Sequence, residues 1–313
     1  MPVYEDWESA LKLCENIDTV FSKQAPLRLS LIFIDDGSTN TCPSEIPVRL
    51  KAIEKVSVLT LRRNLGHQRA IAIALAYIQQ HCRGDALVVM DADGEDRPED
   101  ILRMLEAMAG ADGPVAVFAE RGRRLEKAIF RLFYRIYGSL HVLLAGRSIR
   151  FGNFSLMPWA HLDSIVTYPE LWNHYASTFL KSKLPYTRVR CDRSPRIAGR
   201  SRMDFTSLVV HGMSALFANQ EVVGTRLLIA IGAVTIGLLV LSAVVVGVKL
   251  FTQLGIPGWA TFALGLLLVM VGQSLIVLFL LVFSVVMNRS QLGFLPIRDY
   301  AYFVRRESIL HSR

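Results

Sequence analysis

Three carboxylates at alternate positions, Asp91, Asp93 and Glu95, directly follow the apolar run Leu87, Val88, Val89, Met90. In extended backbone, alternate side chains share a face, so the three can converge at the end of a buried strand. Converging carboxylates repel one another unless a cation lies between them. Hard divalent ions such as Mg2+ or Mn2+ take oxygen ligands and share them with substrate phosphates, so this spacing suggests a metal that holds a diphosphate. Taken alone, the triplet is also compatible with a solvated loop end. Two other chemistries fit less well. An EF-hand calcium loop carries glycine at its sixth position, and Gly94 is the fourth here. Phosphatases of the haloacid dehalogenase class have Thr or Val two residues after the second Asp, where this chain has Glu95.

The elements that must position these groups follow from hydrophobic periodicity. Short apolar runs alternate with amphipathic stretches through residue 220 or so, the pattern of an α/β domain with a mainly parallel sheet. Helices are expected at Glu8–Phe21, Gln68–Gln79 and Pro98–Met108. Strands are expected at Leu27–Ile34, Val56–Leu61, Leu87–Met90 and Val115–Ala119. Open α/β sheets bind ligands beyond the carboxyl ends of their strands. Four such ends bring Asp35 and Asp36, Arg63 and Asn64, Asp91 and Asp93, and Arg121 to one crevice. Acids and arginines together suit a metal-bound nucleoside diphosphate.

Two further stretches are basic. Along Leu125–Leu144, Leu125, Ile129, Leu132, Phe133, Ile136, Leu140, Leu143 and Leu144 fall within an arc of about 120°, with Arg124, Lys127, Arg131 and Arg135 opposite. Such a helix either lies on a membrane with its arginines at lipid phosphates or packs on its own domain with a solvated basic face. The segment Cys191–Arg202 carries Arg193, Arg196, Arg200 and Arg202 around Pro195 and Gly199, a loop suited to gripping phosphate or a plain juxtamembrane charge run. Met203–Asn219 reads as a helix that leads into a long apolar region.

The chain is 52% hydrophobic, with a mean hydropathy of +0.35, too apolar for an ordinary soluble protein. The excess lies in Leu227–Val248 and Phe251–Asn288, both free of charged residues, with Gly255, Pro257 and Gly258 near the start of the second. Crossing a bilayer takes roughly 20 apolar residues in helix, so two transmembrane helices joined by a tight turn are expected. The acidic N-terminus has no apolar signal-peptide core. Arg226 precedes the first span, Arg289, Arg298, Arg305, Arg306 and Arg313 come after the second, and only Lys249 lies between. The expectation is a multi-pass protein of the bacterial inner membrane with its polar domain and C-terminus cytoplasmic. The net charge of +8 is assigned to anionic lipid and phosphate ligands rather than nucleic acid. Cys14, Cys42, Cys82 and Cys191 have neither paired nor metal-ligand spacing and read as reduced thiols.

These residues together resemble the family 2 glycosyltransferases of GT-A (Rossmann-like) fold. The likeness is to the membrane group that moves a sugar from a nucleotide to polyprenyl phosphate: dolichyl-phosphate mannose synthases and bacterial glucosyltransferases of the GtrB kind. The resemblance rests on Pro2-Val3-Tyr4, Asp35–Ser38 (DDGS), Arg63–Gly66 (RNLG), Met90–Asp93 (MDAD), Arg150–Leu156 (RFGNFSL), Arg196–Arg202 and the two terminal spans. It implies that Pro2, Tyr4, Asp35 and Asp36 line the base and ribose pocket, with Arg63 and Asp91 also on the donor. It implies Asp91, Asp93 and Glu95 as holders of Mg2+ or Mn2+ and the diphosphate. Arg121, Arg131 and Arg202 become candidates for the acceptor and donor phosphates.

The chain departs from the family pattern in three places. Relatives have a whole first strand before Pro2, so a longer N-terminus in the native gene is expected. Many carry Gln where Glu95 stands, which makes this site more anionic. Asn153 stands where Asp is frequent, so no base is assigned there. None is needed, because a phosphate monoester with a second pKa of about 6 is already an ionised nucleophile. In-line attack inverts the anomeric centre.

The expected organisation is a nucleotide-sugar core over 1–122, an acceptor-side region with amphipathic juxtamembrane helices over 123–220, two spans over 221–290 and a basic cytoplasmic tail over 291–313. Gly232, Gly237, Gly265 and Gly272 are expected to pack spans into a homo-oligomer or to be ordinary membrane-helix glycines. The rivals are a processive polysaccharide synthase, which needs a Gln-x-x-Arg-Trp motif not found here, and a catalytically impaired relative that acts as a membrane assembly partner.

Overall fold

The computed structural model describes residues 1–24, 27–40, 42–43, 45–46, 49–121, 143–144, 146, 151–198, 219–252, 257–290 and 293–313. The interfacial helix expected over Leu125–Leu144 and the helix expected over Met203–Asn219 lie largely outside these residues, as do Arg131 and Arg202. The described residues form two units. One takes in those through 121, 151–198 and 293–313; the other takes in 143–146 and the two long apolar helices.

In the first unit, strands β1 (Pro2–Val3), β2 (Leu29–Asp35) and β3 (Ile53–Leu61) run parallel. Strands β4 (Ala86–Val89), β5 (Ala116–Arg121), β6 (Phe151–Pro158) and β7 (Tyr186–Cys191) form a second sheet in the order β4-β6-β5-β7. Helix α1 (Trp7–Phe21) buries Trp7, Ala10, Leu13, Cys14, Ile17 and Phe21, the three-and-four spacing of one helical face. The carboxylate of Asp18 accepts from the backbone N–H groups of Lys51, Ala52 and Ile53 at 2.7–3.1 Å, tying the end of α1 to the start of β3. Helix α2 (His67–His81) is buried along nearly its whole length, its alanines allowing close approach to the strands. With α4 (Trp159–Ile165) and α5 (Tyr175–Ser182) it packs one apolar core, while α1 and α3 (Pro98–Ala109) pack the other.

Both sheets are mixed. Strand β6 is antiparallel to β4 and β5. The last residues, expected as a basic tail, form β8 (Val304–Ser312), antiparallel to β3 and completing the order β1-β2-β3-β8. Its charges are those of an edge strand, with Arg305, Arg306 and Glu307 exposed and Leu310 buried. Tyr300, just before it, lies 2.7 Å from His81 Nε2 and donates to Gln80 Oε1 at 2.9 Å, fastening the segment to α2.

The second unit holds α6 (Gln220–Phe251) and α7 (Trp259–Ser290), which pack on each other. Both are long and apolar enough to cross a membrane. Ile229, Leu250, Phe251, Phe262 and Leu268 on them are all at least two-thirds exposed, an apolar surface that fits association with a membrane. Thr235 Oγ1 donates to Ser274 Oγ at 3.0 Å across the pair. Gly224 is the point of close approach, since a Cβ there would meet Val285 Cγ2 at 2.7 Å, whereas Gly232, Gly237, Gly265 and Gly272 face open space.

Candidate functional site

The carboxyl ends of β2, β3 and β4 meet as expected. Gly37, in the turn after β2, has φ +73, and a Cβ there would lie 2.5 Å from Asn64 N and 2.6 Å from Arg63 C, so only glycine lets the two turns touch. Asp36 accepts from the backbone N–H groups of Leu65 (2.7 Å) and Gly66 (2.9 Å), and so fixes the turn that launches α2. Burial pushes the Asp36 carboxyl above the ordinary aspartate value, against the pull of those N–H groups and of His67. Asp35 Oδ1 accepts from Ser38 N at 2.9 Å. Glu5, in a left-handed conformation (φ 55), closes the same loop by accepting from Thr39 Oγ1 at 2.6 Å and Asn40 N at 3.2 Å. Pro2 and Val3 pair with Ile34 and Asp35, and the Tyr4 ring is partly exposed beside them.

The acidic loop after β4 has a histidine or arginine beside each carboxylate. Asp91 Oδ1 lies 3.1 Å from His67 Nε2, Asp93 Oδ2 lies 3.6 Å from Arg196 Nη2, and Glu95 is paired with Arg193. Arg196 also reaches Asp6 Oδ2 at 3.1 Å. The segment 192–198 is strapped on through its backbone, with Ser194 N donating to Glu95 O and Ile197 N to Asp93 O, both at 3.0 Å. Gly94 (φ +77) makes room for Ile197, whose Cγ1 and Cδ1 a Cβ at that position would overlap. Two of the arginines expected to grip phosphate thus rest on the acids expected to hold metal.

Among the described residues no three Asp, Glu, His or Cys side chains form a ready-made ligand cluster. The acidic loop nevertheless suits a divalent cation. Asp91 and Asp93 are oxygen donors two residues apart, only 22% and 18% exposed. The Asp93 carboxyl is held above the ordinary value by burial and by the charges of Asp91 and Glu95, a repulsion that a bound cation relieves. Its contact with Arg196 is long enough to be exchanged.

Residues 1–158 match the family described as Glycosyl transferase family 2. The chain belongs to that family. It is 27% identical over 212 residues to a bactoprenol glucosyl transferase of Shigella phage SfX, covering 65% of this chain and 66% of the phage protein, just under two thirds. Prophage-derived and phage proteins of the same description from Shigella flexneri and phage SfV match at 26% over 65% of each chain. An uncharacterized glycosyltransferase of Bacillus subtilis, YkcC, is 26% identical over 83% of this chain and 80% of its own.

Of the expected site residues, Asp35, Asp36, Arg63, Asp91, Asp93 and Glu95 lie in these turns and the acidic loop. The backbone of Arg121 ends β5 opposite Cys191, immediately before the arginine strap. The periodicity reading passed over His67, Gln68, Glu5 and Asp6. Its only available signal for the first two was the His-Gln pair directly after RNLG, at the start of a helix pointing into the crevice.

Proposed function

We propose that this chain transfers a sugar from a nucleoside diphosphate donor, a UDP-sugar foremost, to a polyprenyl phosphate such as undecaprenyl or dolichyl phosphate at a membrane surface. The observation that carries this reading is the acidic loop, Asp91 to Glu95, under a strap of arginines at the carboxyl ends of the strands, in a family 2 chain with two exposed apolar helices. The names of the phage relatives support the lipid acceptor.

Asp35, Glu5 and Ser38 shape the loop that receives the nucleoside, and Arg63 stands at the next strand end. Asp91 and Asp93, with Glu95, would hold Mg2+ or Mn2+; when bound, the ion offsets the charge of the departing diphosphate. Arg193 and Arg196 exchange their carboxylate partners for phosphate oxygens as donor enters, and so bring two anionic substrates together without a general base. The lipid phosphate attacks the anomeric carbon in line as the bond to the diphosphate breaks, with inversion. The catalytic unit faces the cytoplasm, and copies associate through the open glycine faces of the spans.

The test is transfer from a panel of labelled UDP- and GDP-sugars to undecaprenyl or dolichyl phosphate by the full chain in detergent, with Mg2+, Mn2+ or EDTA. Cation-dependent appearance of a lipid-linked sugar of inverted configuration is expected. Labelled product that stays water-soluble, or a retained anomeric configuration, contradicts the proposal.

A further inference from the structure

We propose that α7 carries a second packing seam that docks on the same helix of a second copy of this chain, with the two Gln273 side chains hydrogen-bonded to each other mid-membrane, a contact that rests on the reading that α7 spans a bilayer and that copies associate there.

Gln273 is the middle residue of the apolar stretch Trp259–Met287. At about 1.5 Å per residue it lies roughly 20 Å from either end, a depth at which hydrocarbon offers no hydrogen bond. Its amide has two donors and an acceptor oxygen. Hydroxyls of the same helix pair are satisfied within it: Ser242 Oγ donates to Leu238 O, Ser274 Oγ to Val271 O and Thr235 Oγ1 to Ile231 O, each at 2.8 Å. Gln273 makes no hydrogen bond among the described residues, and it is exposed on the outside of the pair. A polar group left so in hydrocarbon is costly, which calls for a partner at that depth.

The surroundings of Gln273 have the pattern of a seam. Leu266, Val269, Gln273, Ile276, Leu280 and Phe283 follow one another at intervals of three and four residues, the repeat by which two helices interlock. Its apolar members are 54–61% exposed. The side of α7 that meets α6 is another one, where Ala260 and Leu267 are buried and Ser274 accepts from Thr235. At 3.6 residues per turn the exposed seam is turned about 150° from that side, so α6 leaves it open. Gly265 and Gly272 lie along its flank and let a neighbouring backbone approach.

A second copy is the partner these features select. Copies of one chain insert in the same sense, so two α7 helices side by side are parallel and bring Gln273 to the same depth by symmetry. The amide is its own complement, the oxygen of one accepting from the NH2 of the other. A lone polar residue in such a seam fixes both register and pairing. A partner of different sequence would need a complementary group at that depth by coincidence.

The experiment is sedimentation equilibrium of the full chain in density-matched detergent at several protein-to-detergent ratios, with circular dichroism of each variant in parallel. The parent is expected to associate, and Gln273→Leu to weaken association about 5- to 30-fold with helix content unchanged. Gln273→Asn, which keeps a self-complementary amide, is expected to retain most of it. The native cysteines all lie in the first unit, so a thiol in α7 reports on its own surroundings. Oxidation in liposomes is expected to join copies of Gln273→Cys by a disulfide, and not copies of Leu275→Cys, which is exposed on another side of α7. If the parent associates and Gln273→Leu does so as tightly or more so, the seam is overturned while association stands, and Gly265→Leu then reads the glycine face in its place. If the parent sediments as a monomer at every ratio, association itself fails, and this contact with it. Should Gln273→Leu lose helix content, the disulfide decides, and equal or greater crosslinking of Leu275→Cys overturns the proposal.

Discussion

Replacing Gly37 by alanine tests whether the candidate donor site depends on contact between the turns after β2 and β3. A non-glycine residue in the left-handed region costs about 1–2 kcal/mol. The new Cβ would also sit 2.5 Å from Asn64 N and 2.6 Å from Arg63 C, backbone atoms that must retreat by roughly 0.9 Å to reach ordinary contact. Overpacking of that kind costs about 1–3 kcal/mol more. Gly66 is the steric control, because a Cβ there meets nothing within 4 Å, and its backbone (φ 94, ψ 151) lies in a region kept almost wholly for glycine, at a cost of about 1–3 kcal/mol for other residues. Gly66→Ala should therefore lose only the backbone part. For a unit of this size each kcal/mol moves the melting temperature by about 2–4 °C, so Gly37→Ala should fall by about 10 °C and Gly66→Ala by about 6 °C. Thermal unfolding followed by intrinsic tryptophan fluorescence reads the difference. Donor KM should rise for Gly37→Ala well beyond Gly66→Ala, since the displaced backbone carries Arg63 and Asn64. Equal melting temperatures for the two variants would refute the argument from close approach.

Arg196→Gln should raise donor KM about tenfold, the loss of one charge-assisted hydrogen bond, while the melting temperature moves little; an unchanged KM would remove Arg196 from the donor site. Burial pushes the Cys14 and Cys191 thiols up to about 12, so at pH 8 their thiolate fraction is about one in ten thousand, and iodoacetamide should modify neither until the chain is unfolded. An acid whose pKa rises on folding supports the fold fully below its unfolded value of 9.0, and that support is lost as pH climbs toward 12. Denaturation midpoints should accordingly fall between pH 8.5 and about 10.5. Tyr300→Ala, which empties a site only 6% exposed, should destabilise the first unit by about 3–5 kcal/mol, whereas a change below about 1 kcal/mol would mean that the C-terminal segment is not part of it.

Much of this architecture can be read from periodicity alone. Helices α1, α2 and α3 start and stop within a few residues of expectation, because their apolar faces and the Pro98 start are local signals. Strands β2 to β5 stand out as apolar runs ending in polar groups. β8 does not, because VRRESILHS carries edge-strand charges and has no partner until β3, some 250 residues earlier in the chain, comes alongside. The acidic loop could be found from its spacing, but not its counterions. Arg193 and Arg196 looked like phosphate ligands, and only the backbone bonds from Ser194 and Ile197 bring them onto Glu95 and Asp93. His67 was invisible for a similar reason: its place beside Asp91 depends on how the start of α2 meets the loop after β4, which no local pattern encodes.

The central claim is that the acidic loop holds the donor diphosphate for transfer to a lipid phosphate. Its most direct test is the initial rate of lipid-linked sugar formation by the full chain in detergent, parent against Asp93→Ala, at saturating lipid phosphate and with Mn2+ present. The account predicts cation-dependent transfer by the parent and a fall of about 100-fold or more in the variant. Parental rates from Asp93→Ala, or no transfer by the parent from any donor to any lipid phosphate, would contradict it.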